Sequence, residues 1–432
     1  RSLDAAAPTS VDFTVEGMAF TATTDEEVSV DLADGSALTA RWLLSGGLPA
    51  GGREAQTCRV VLSGDRDWMG TRHPVMDNMQ AHIQIIRNAK RYIFIENQYF
   101  STDFPSPSYE CRHTNSRSQA VLYSGATNRI GEVLLDRIKR AGRLGENFSV
   151  AVVTPLGTEP GSFYPNLRGS YCFEHAVETF WKEEQLKSDW RDYFQFFFIS
   201  NAVAAPADMG GPGSAFYGIF THTKMIVADD NIALVGSANI NDRSMNGDRD
   251  AEVGVEVVGD RFPRMLRETL LKSHIGDPSL ADPDNFVPSL RAVAEANARE
   301  LEKTMGISFP SGTFVRGGKR IRLFAQGYLV KAMDKLQHGE EAAIPWPESR
   351  VVAGGGGSDH FKWFVVKEAT TPPKLRGLLF PWSREIWGVP KLTSVTQLIS
   401  PEFNWRRLRG PANETTAESL APEGEGAPDV LV

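Results

Sequence analysis

An α/β fold, a mixed sheet flanked by helices, is the architecture this sequence predicts, on three observations. The runs Arg91–Phe100, Phe148–Val153 and Phe194–Ile199 are apolar and of strand length, without the polar alternation of a half-exposed strand. Helical patterns of about 12–15 residues separate them, which is the order of βα units. Across the 432 residues, 41% are hydrophobic and 23% charged, enough apolar material for a sizeable core.

In chain order, the first 57 residues carry little signal. Val11–Val15 and Glu27–Asp31 alternate like short strands, and Gly46-Gly47 and Gly51-Gly52 punctuate a loop. From Cys58 the pattern becomes regular. Val75, Met76, Met79, Ile83 and Ile86 recur at helical spacing ahead of the Arg91–Phe100 strand. Arg129–Ala141 and Phe173–Lys187 read as helices, each followed by an apolar strand. Three further strands are expected at Lys224–Ala228, Ile232–Val235 and Val253–Val258, then a helix at Arg261–Lys272. Asp277-Pro278 and Asp282-Pro283 read as a linker, Val287–Met305 as a polar amphipathic helix, and residues 310–400 as irregular. Pro411–Val432 carries five acidic residues and no Lys or Arg, the composition of a disordered acidic tail.

Composition narrows the function classes. No run approaches the 18 or so apolar residues of a membrane-spanning helix. The net charge of −8, five of whose charges fall in the tail, provides no general attraction to nucleic acid. Three cysteines, with no Cys-x-x-Cys pair, indicate neither a disulfide framework nor a zinc cage, and no metal or other cofactor is expected. The chain starts with Arg and no apolar signal segment follows, which reads as a fragment or a processed chain.

One segment carries chemistry. His222, Lys224, Asp229, Gly236, Ser237 and Asn239 form the pattern His-x-Lys-x4-Asp-x6-Gly-Ser-x-Asn. A chance match is on the order of one in a hundred thousand at ordinary residue frequencies. On a strand, His222 and Lys224 share a face, and Ser237 and Asn239 stand on one side of the following segment. An imidazole, an ammonium, a hydroxyl and an amide together can move a proton near neutrality and hold anionic oxygens, the needs of phosphoryl transfer. Asp229 falls on the opposite face, beside a turn at Asp229-Asp230-Asn231, and reads as structural, as does Gly236.

The stretch from Thr221 to Val257 resembles the C-terminal HKD motif of eukaryotic-type phospholipase D and its flanks. Tyr92–Phe100 is similar to the IENQ(F/Y)F segment of the same family, and Leu375–Pro381 resembles its C-terminal segment. The resemblance implies a phospholipase D-like lobe at 58–276, a C-terminal extension at 277–410, the acidic tail at 411–432, and a remnant or inter-lobe linker at 1–57. It implies metal-independent hydrolysis through a phosphohistidine. By resemblance His222 protonates the leaving alcohol and then activates water, while Lys224 and Asn239 hold phosphoryl oxygens with Ser237 assisting. Glu252 matches the acidic position that hydrogen-bonds an active-site histidine, and Glu96 and Asn97 lie in the segment that holds the substrate region.

The family's nucleophile comes from a second HKD motif that this chain lacks. Of the remaining histidines only His360 has a lysine two residues on, Lys362, and Lys367 stands where the aspartate belongs. The chain therefore reads as half of a phospholipase D site, inactive by itself. Its expected partners are a lobe carrying the first motif and a phospholipid membrane surface, with no nucleic acid and a cytoplasmic, peripheral location. Two alternatives stay open: a non-catalytic lipid-binding module, and a single-motif phosphodiesterase completed by dimerisation.

Overall fold

Four strands at the N-terminus form two separate hairpins. β1 (Ser10–Val15) pairs with β2 (Met18–Thr23), and β3 (Glu27–Asp31) with β4 (Ala37–Arg41), both antiparallel. The computed structural model describes these strands and residues 57–104, 128–155, 160–205, 213–247, 250–311, 313–316, 319–322, 351–352, 363–366 and 369–384.

The main body starts with β5 (Thr57–Gly64), β6 (Val75–Met76) and α1 (Asp77–Asn88). β7 (Tyr92–Asn97), α2 (Ile130–Leu144), β8 (Ser149–Val153), α3 (Pro160–Glu183) and β9 (Phe194–Ala204) follow. Then come β10 (Ser214–Gly218), β11 (Lys224–Ala228), β12 (Ile232–Gly236), α4 (Asp242–Met245), β13 (Glu252–Val258), α5 (Arg261–Ile275) and α6 (Phe286–Met305). The last strands are β14 (Ile307–Ser308), β15 (Thr313–Arg316), β16 (Lys319–Arg322), β17 (Val351–Val352), β18 (Trp363–Val366) and β19 (Leu379–Pro381). Twelve strands form one mixed sheet in the order β17-β18-β10-β9-β8-β7-β11-β12-β13-β5-β6, with β19 added to β9. β7, β8 and β9 run parallel and the other pairs antiparallel.

Alternation along each strand divides the core into two layers. Ile93 and Ile95 of β7 and Ile226 of β11 pack with α1, α2 and α3 through Ile85, Leu134 and Phe173. Tyr92 and Phe94, one residue out of phase, pack with α5 and α6 through Leu271, Phe286 and Leu290. All six residues of β7 are buried, which is why its sequence shows no polar alternation.

Two sequence expectations are corrected here. Residue 276 marks no boundary between packed units, because α6 covers the sheet and β19 extends it. The two Asp-Pro pairs are short 3-10 turns leading into α6, each opened by an aspartate that caps the next turn: Asp277 accepts from the Ser279 N–H and Asp282 from the Asp284 N–H. Cys172 is disulfide-bonded, while Cys58 is free and exposed. No helix among the described residues is long and apolar enough to cross a membrane.

Candidate active site

The site lies at the end of the sheet where β7 finishes, β11 begins and β12 passes into the loop before α4. Ligand sites in open α/β sheets favour the carboxyl ends of parallel strands, and the end of β7 contributes three consecutive polar residues, Glu96, Asn97 and Gln98. Register fixes the neighbours: Lys224 stands opposite Asn97, and Gly236 opposite Gly254.

His222 precedes β11 rather than lying on it, yet the contact with Lys224 survives. The Lys224 ammonium is buried and donates to Gln98 Oε1 (2.8 Å), to the His222 carbonyl (2.8 Å) and to His222 Nδ1 (3.1 Å). An ammonium has no acceptor, so Nδ1 must present its lone pair. The neutral His222 ring therefore carries its proton on Nε2. The residue as a whole is exposed. Gln98, which accepts from the ammonium, is a member of the candidate site that the motif spacing did not single out.

Gly236 is required by proximity: a Cβ there would stand 2.4 Å from the Val253 carbonyl oxygen. Ser237 is placed beside the site, but its hydroxyl is already engaged. It donates to Glu252 Oε2 in a short hydrogen bond and accepts from the Val253 N–H at 3.1 Å. This corrects the reading of Ser237 as a substrate donor. Glu252 also accepts from Ser244 Oγ at 2.6 Å, so its carboxylate binds two seryl hydroxyls and reaches no histidine among the described residues. Together these bonds hold the loop between β12 and β13 rather than tune an imidazole.

Asn239 contributes differently. Its Oδ1 is buried without a hydrogen-bond partner, and so is the hydroxyl oxygen of Thr221, the buried residue before His222. They are two of six such atoms among the described residues. Thr221 Oγ1 can donate to a bound group, whereas Asn239 Oδ1 only accepts, so Asn239 would meet an anionic oxygen through its Nδ2.

Asn97 and Glu96 diverge because consecutive strand residues point to opposite faces. Asn97 Oδ1 accepts from the Tyr99 and Ile240 N–H groups, each at 3.1 Å, and so ties the Gly-Ser-x-Asn loop to β7. Phe100 and Ile240 add a parallel bridge, and Asp242 secures the far side of the loop by accepting from Asn128 Nδ2 at 2.7 Å. Glu96 instead turns under α5, away from His222, and meets His274. It is removed from the substrate-contacting set.

Asp229 lies at the other end of the β11–β12 hairpin. Its carboxylate accepts from the N–H groups of Lys90 (2.7 Å), Arg91 (2.8 Å) and Tyr92 (3.0 Å), anchoring the turn to the start of β7. Asp230 beside it is buried and binds Tyr92 Oη (2.6 Å) and the Arg267 guanidinium (2.7 and 3.0 Å). Burial opposes its charge, but the bonds from Arg267 and Tyr92 prevail and hold its carboxyl below the usual range. The described residues contain no cluster of three or more His, Cys, Asp or Glu that could hold a metal. The pair His360 and Lys362 lies outside the described residues.

Comparison with known proteins finds similar sequences. Residues 214–277 match the family model described as Phospholipase D. The chain is 30% identical over 294 residues to bovine Phospholipase D2, covering 58% of this chain and 28% of that one. It is 29% identical over 255 residues to Saccharomyces cerevisiae Phospholipase D1, covering 52% of this chain and 14% of that one. The matched region thus spans less than a third of the length of either relative. Among solved structures, a phospholipase D family member, Nuc from Salmonella typhimurium, is 14% identical with a TM-score of 0.27, over 50% of this chain and 93% of that one. The comparisons agree with the resemblance read from the sequence: this region of the chain is similar to phospholipase D.

Proposed function

We propose that this chain supplies the acid–base half of an HKD phosphodiesterase site. On this proposal the whole protein cleaves the distal phosphodiester of phosphatidylcholine to phosphatidic acid and choline at a phospholipid surface. The observation that carries the reading is the Lys224–His222 contact, which holds the ring by Nδ1 so that Nε2 is the nitrogen that exchanges a proton with the substrate; protonation of Nδ1, as Lys224 turns toward the substrate, makes the imidazolium that a general acid needs.

In the proposed sequence, an imidazole nitrogen from a complementary HKD motif attacks phosphorus while the bond to the choline oxygen breaks. His222, protonated on both ring nitrogens at this stage, gives its Nε2 proton to that oxygen and becomes a neutral imidazole. The resulting phosphatidyl-histidine is then opened by water: His222 Nε2 takes one water proton, the hydroxyl bonds to phosphorus, and the phosphorus–nitrogen bond breaks. Phosphatidic acid leaves and both rings return to their starting states. Lys224 and the amide of Asn239 stabilise the phosphoryl oxygens as charge builds. Lys224 must turn part of its donation from His222 toward the substrate for this.

The disulfide at Cys172 favours an oxidising compartment over the cytoplasm, since such bonds persist mainly there, and does not bear on the proposed peripheral association with a membrane. The test is direct. In a transcript read upstream of Arg1, an in-frame second His-x-Lys-x4-Asp motif supports the two-half enzyme, and a complete transcript without one overturns it. The chain alone is expected to release no choline from phosphatidylcholine vesicles. Turnover abolished by His222→Ala would contradict that expectation and favour a site assembled from two copies.

A further inference from the structure

Behind the site, a buried carboxylate–imidazole pair remains that the proposed chemistry does not use. Glu96 and His274 are each 3% exposed at the side chain, and Glu96 Oε2 lies 2.5 Å from His274 Nε2. They sit in the apolar layer under α5 and α6. Phe94 meets the His274 ring edge-on with centroids 6.2 Å apart, and Met225 stands opposite Glu96 across the strand pair. A carboxylate in such surroundings is costly, and two well-packed apolar side chains would serve stability at least as well.

His274 is itself held from three directions. Ser273 Oγ lies 3.0 Å from its Nδ1, and its carbonyl accepts from the Leu378 N–H at 2.8 Å. Gly377 packs so closely that a Cβ would stand 2.4 Å from that carbonyl oxygen. The segment leading into β19 is fastened in turn by Asn297 of α6, which bonds the Arg376 N–H and the Arg376 and Leu379 carbonyls. A chain of directional bonds thus runs from α6 through residues 376–379 and His274 to Glu96.

The next two residues are Asn97, which ends β7 and holds the Gly-Ser-x-Asn loop, and Gln98 just beyond it, which holds Lys224. Hydrogen bonds weaken steeply with angle, so the orientation of Lys224 depends on the rotation of the strand end. We infer that His274 and Glu96 are positioning residues: their bond fixes the end of β7 from behind so that Asn97 and Gln98 present Lys224 and Asn239 to a phosphoryl group. The inference rests on the phosphodiester reading for the identity of that group.

The test uses the full chain with histidine ring nitrogens labelled, and inorganic phosphate as the probe. In Glu96→Leu/His274→Leu the apolar pair keeps packing without direction. The expected result is thermal stability near wild type, a His222 Nδ1 resonance moved toward that of a free imidazole, and phosphate affinity reduced about tenfold, the lower end of the effect of outer-sphere partners. Glu96→Gln/His274→Gln, which can keep the hydrogen bond, is expected to restore both signals. It carries the test through its single variants should the leucine pair fail to fold. A leucine pair with wild-type His222 resonances overturns the inference. A wild-type chain that binds no phosphate sinks the phosphodiester reading instead, and the His222 resonance still decides the positioning.

Discussion

The two ends of the β11–β12 hairpin are built from the same ladder and do opposite things. At the turn, Asp229 and Asp230 take the left-handed backbone conformation (φ 56° and 60°), and the polar side chains there are spent on the fold. Asp229 holds three backbone N–H groups and Asp230 holds a guanidinium and a phenol. At the other end His222 is exposed, and Thr221 Oγ1 and Asn239 Oδ1 are buried without partners. Closed polar networks stabilise, and open ones bind. One aspartate of the motif therefore belongs to the scaffold, and the histidine, lysine and asparagine to the candidate site.

The largest expected effect lies at the turn. Asp230→Ala strands the buried Arg267 guanidinium, and denaturant unfolding should show a loss of about 3–5 kcal/mol with phosphate binding at the site end preserved. Lys224→Ala should do the reverse, abolishing phosphate binding while stability changes by no more than about 1–2 kcal/mol. If both variants lose stability and binding together, the division between the ends fails.

Acidification should strike the scaffold as well. Burial of His82 in α1, only partly countered by its bond to the Asn78 carbonyl, lowers its pKa from 6.5 to about 4. The unfolded chain then binds the extra proton between those values, so stability is full above pH 6.5 and falls as the pH drops toward 4. The loss is roughly 3 kcal/mol, from 1.36 kcal/mol per unit. His82→Leu should flatten that slope in a pH series of unfolding curves. A slope unchanged in the variant would assign the acid sensitivity elsewhere.

A smaller effect is expected at Asp229. Asp229→Ala exposes three N–H groups, two of them reachable by water, at a cost of about 2 kcal/mol. Asp229→Gly should recover roughly 1 kcal/mol of it, because glycine adopts the positive φ without strain. The smallest effect is expected for Ser237→Ala, which should leave phosphate affinity within about twofold, since that hydroxyl is committed to Glu252. A tenfold loss would return Ser237 to the substrate-contacting set.

The sequence revealed the parallel core because β7, β8 and β9 are covered on both faces and read as continuous apolar runs. β5 escaped notice because its outer half is exposed, Val60 included, and no alternation marks it. β19 escaped because Pro372-Pro373 and Gly377 read as loop; its strand character comes from pairing with β9, a contact 180 residues distant in sequence. Motif spacing singled out His222, Lys224 and Asn239, which the fold brings to one end of the sheet. It could not separate Glu96 from Asn97, since neighbouring polar residues differ only in which face the pleat assigns them. Nor could it reveal that Ser237 and Glu252 satisfy each other, because their pairing depends on the β12–β13 register.

The most direct test of the central claim is a titration of the full chain with inorganic phosphate, followed through the ring nitrogen resonances of His222. The account predicts a saturable shift that Lys224→Ala eliminates and Asp230→Asn leaves intact. A His222 signal that ignores phosphate, or one that responds equally without Lys224, would contradict it.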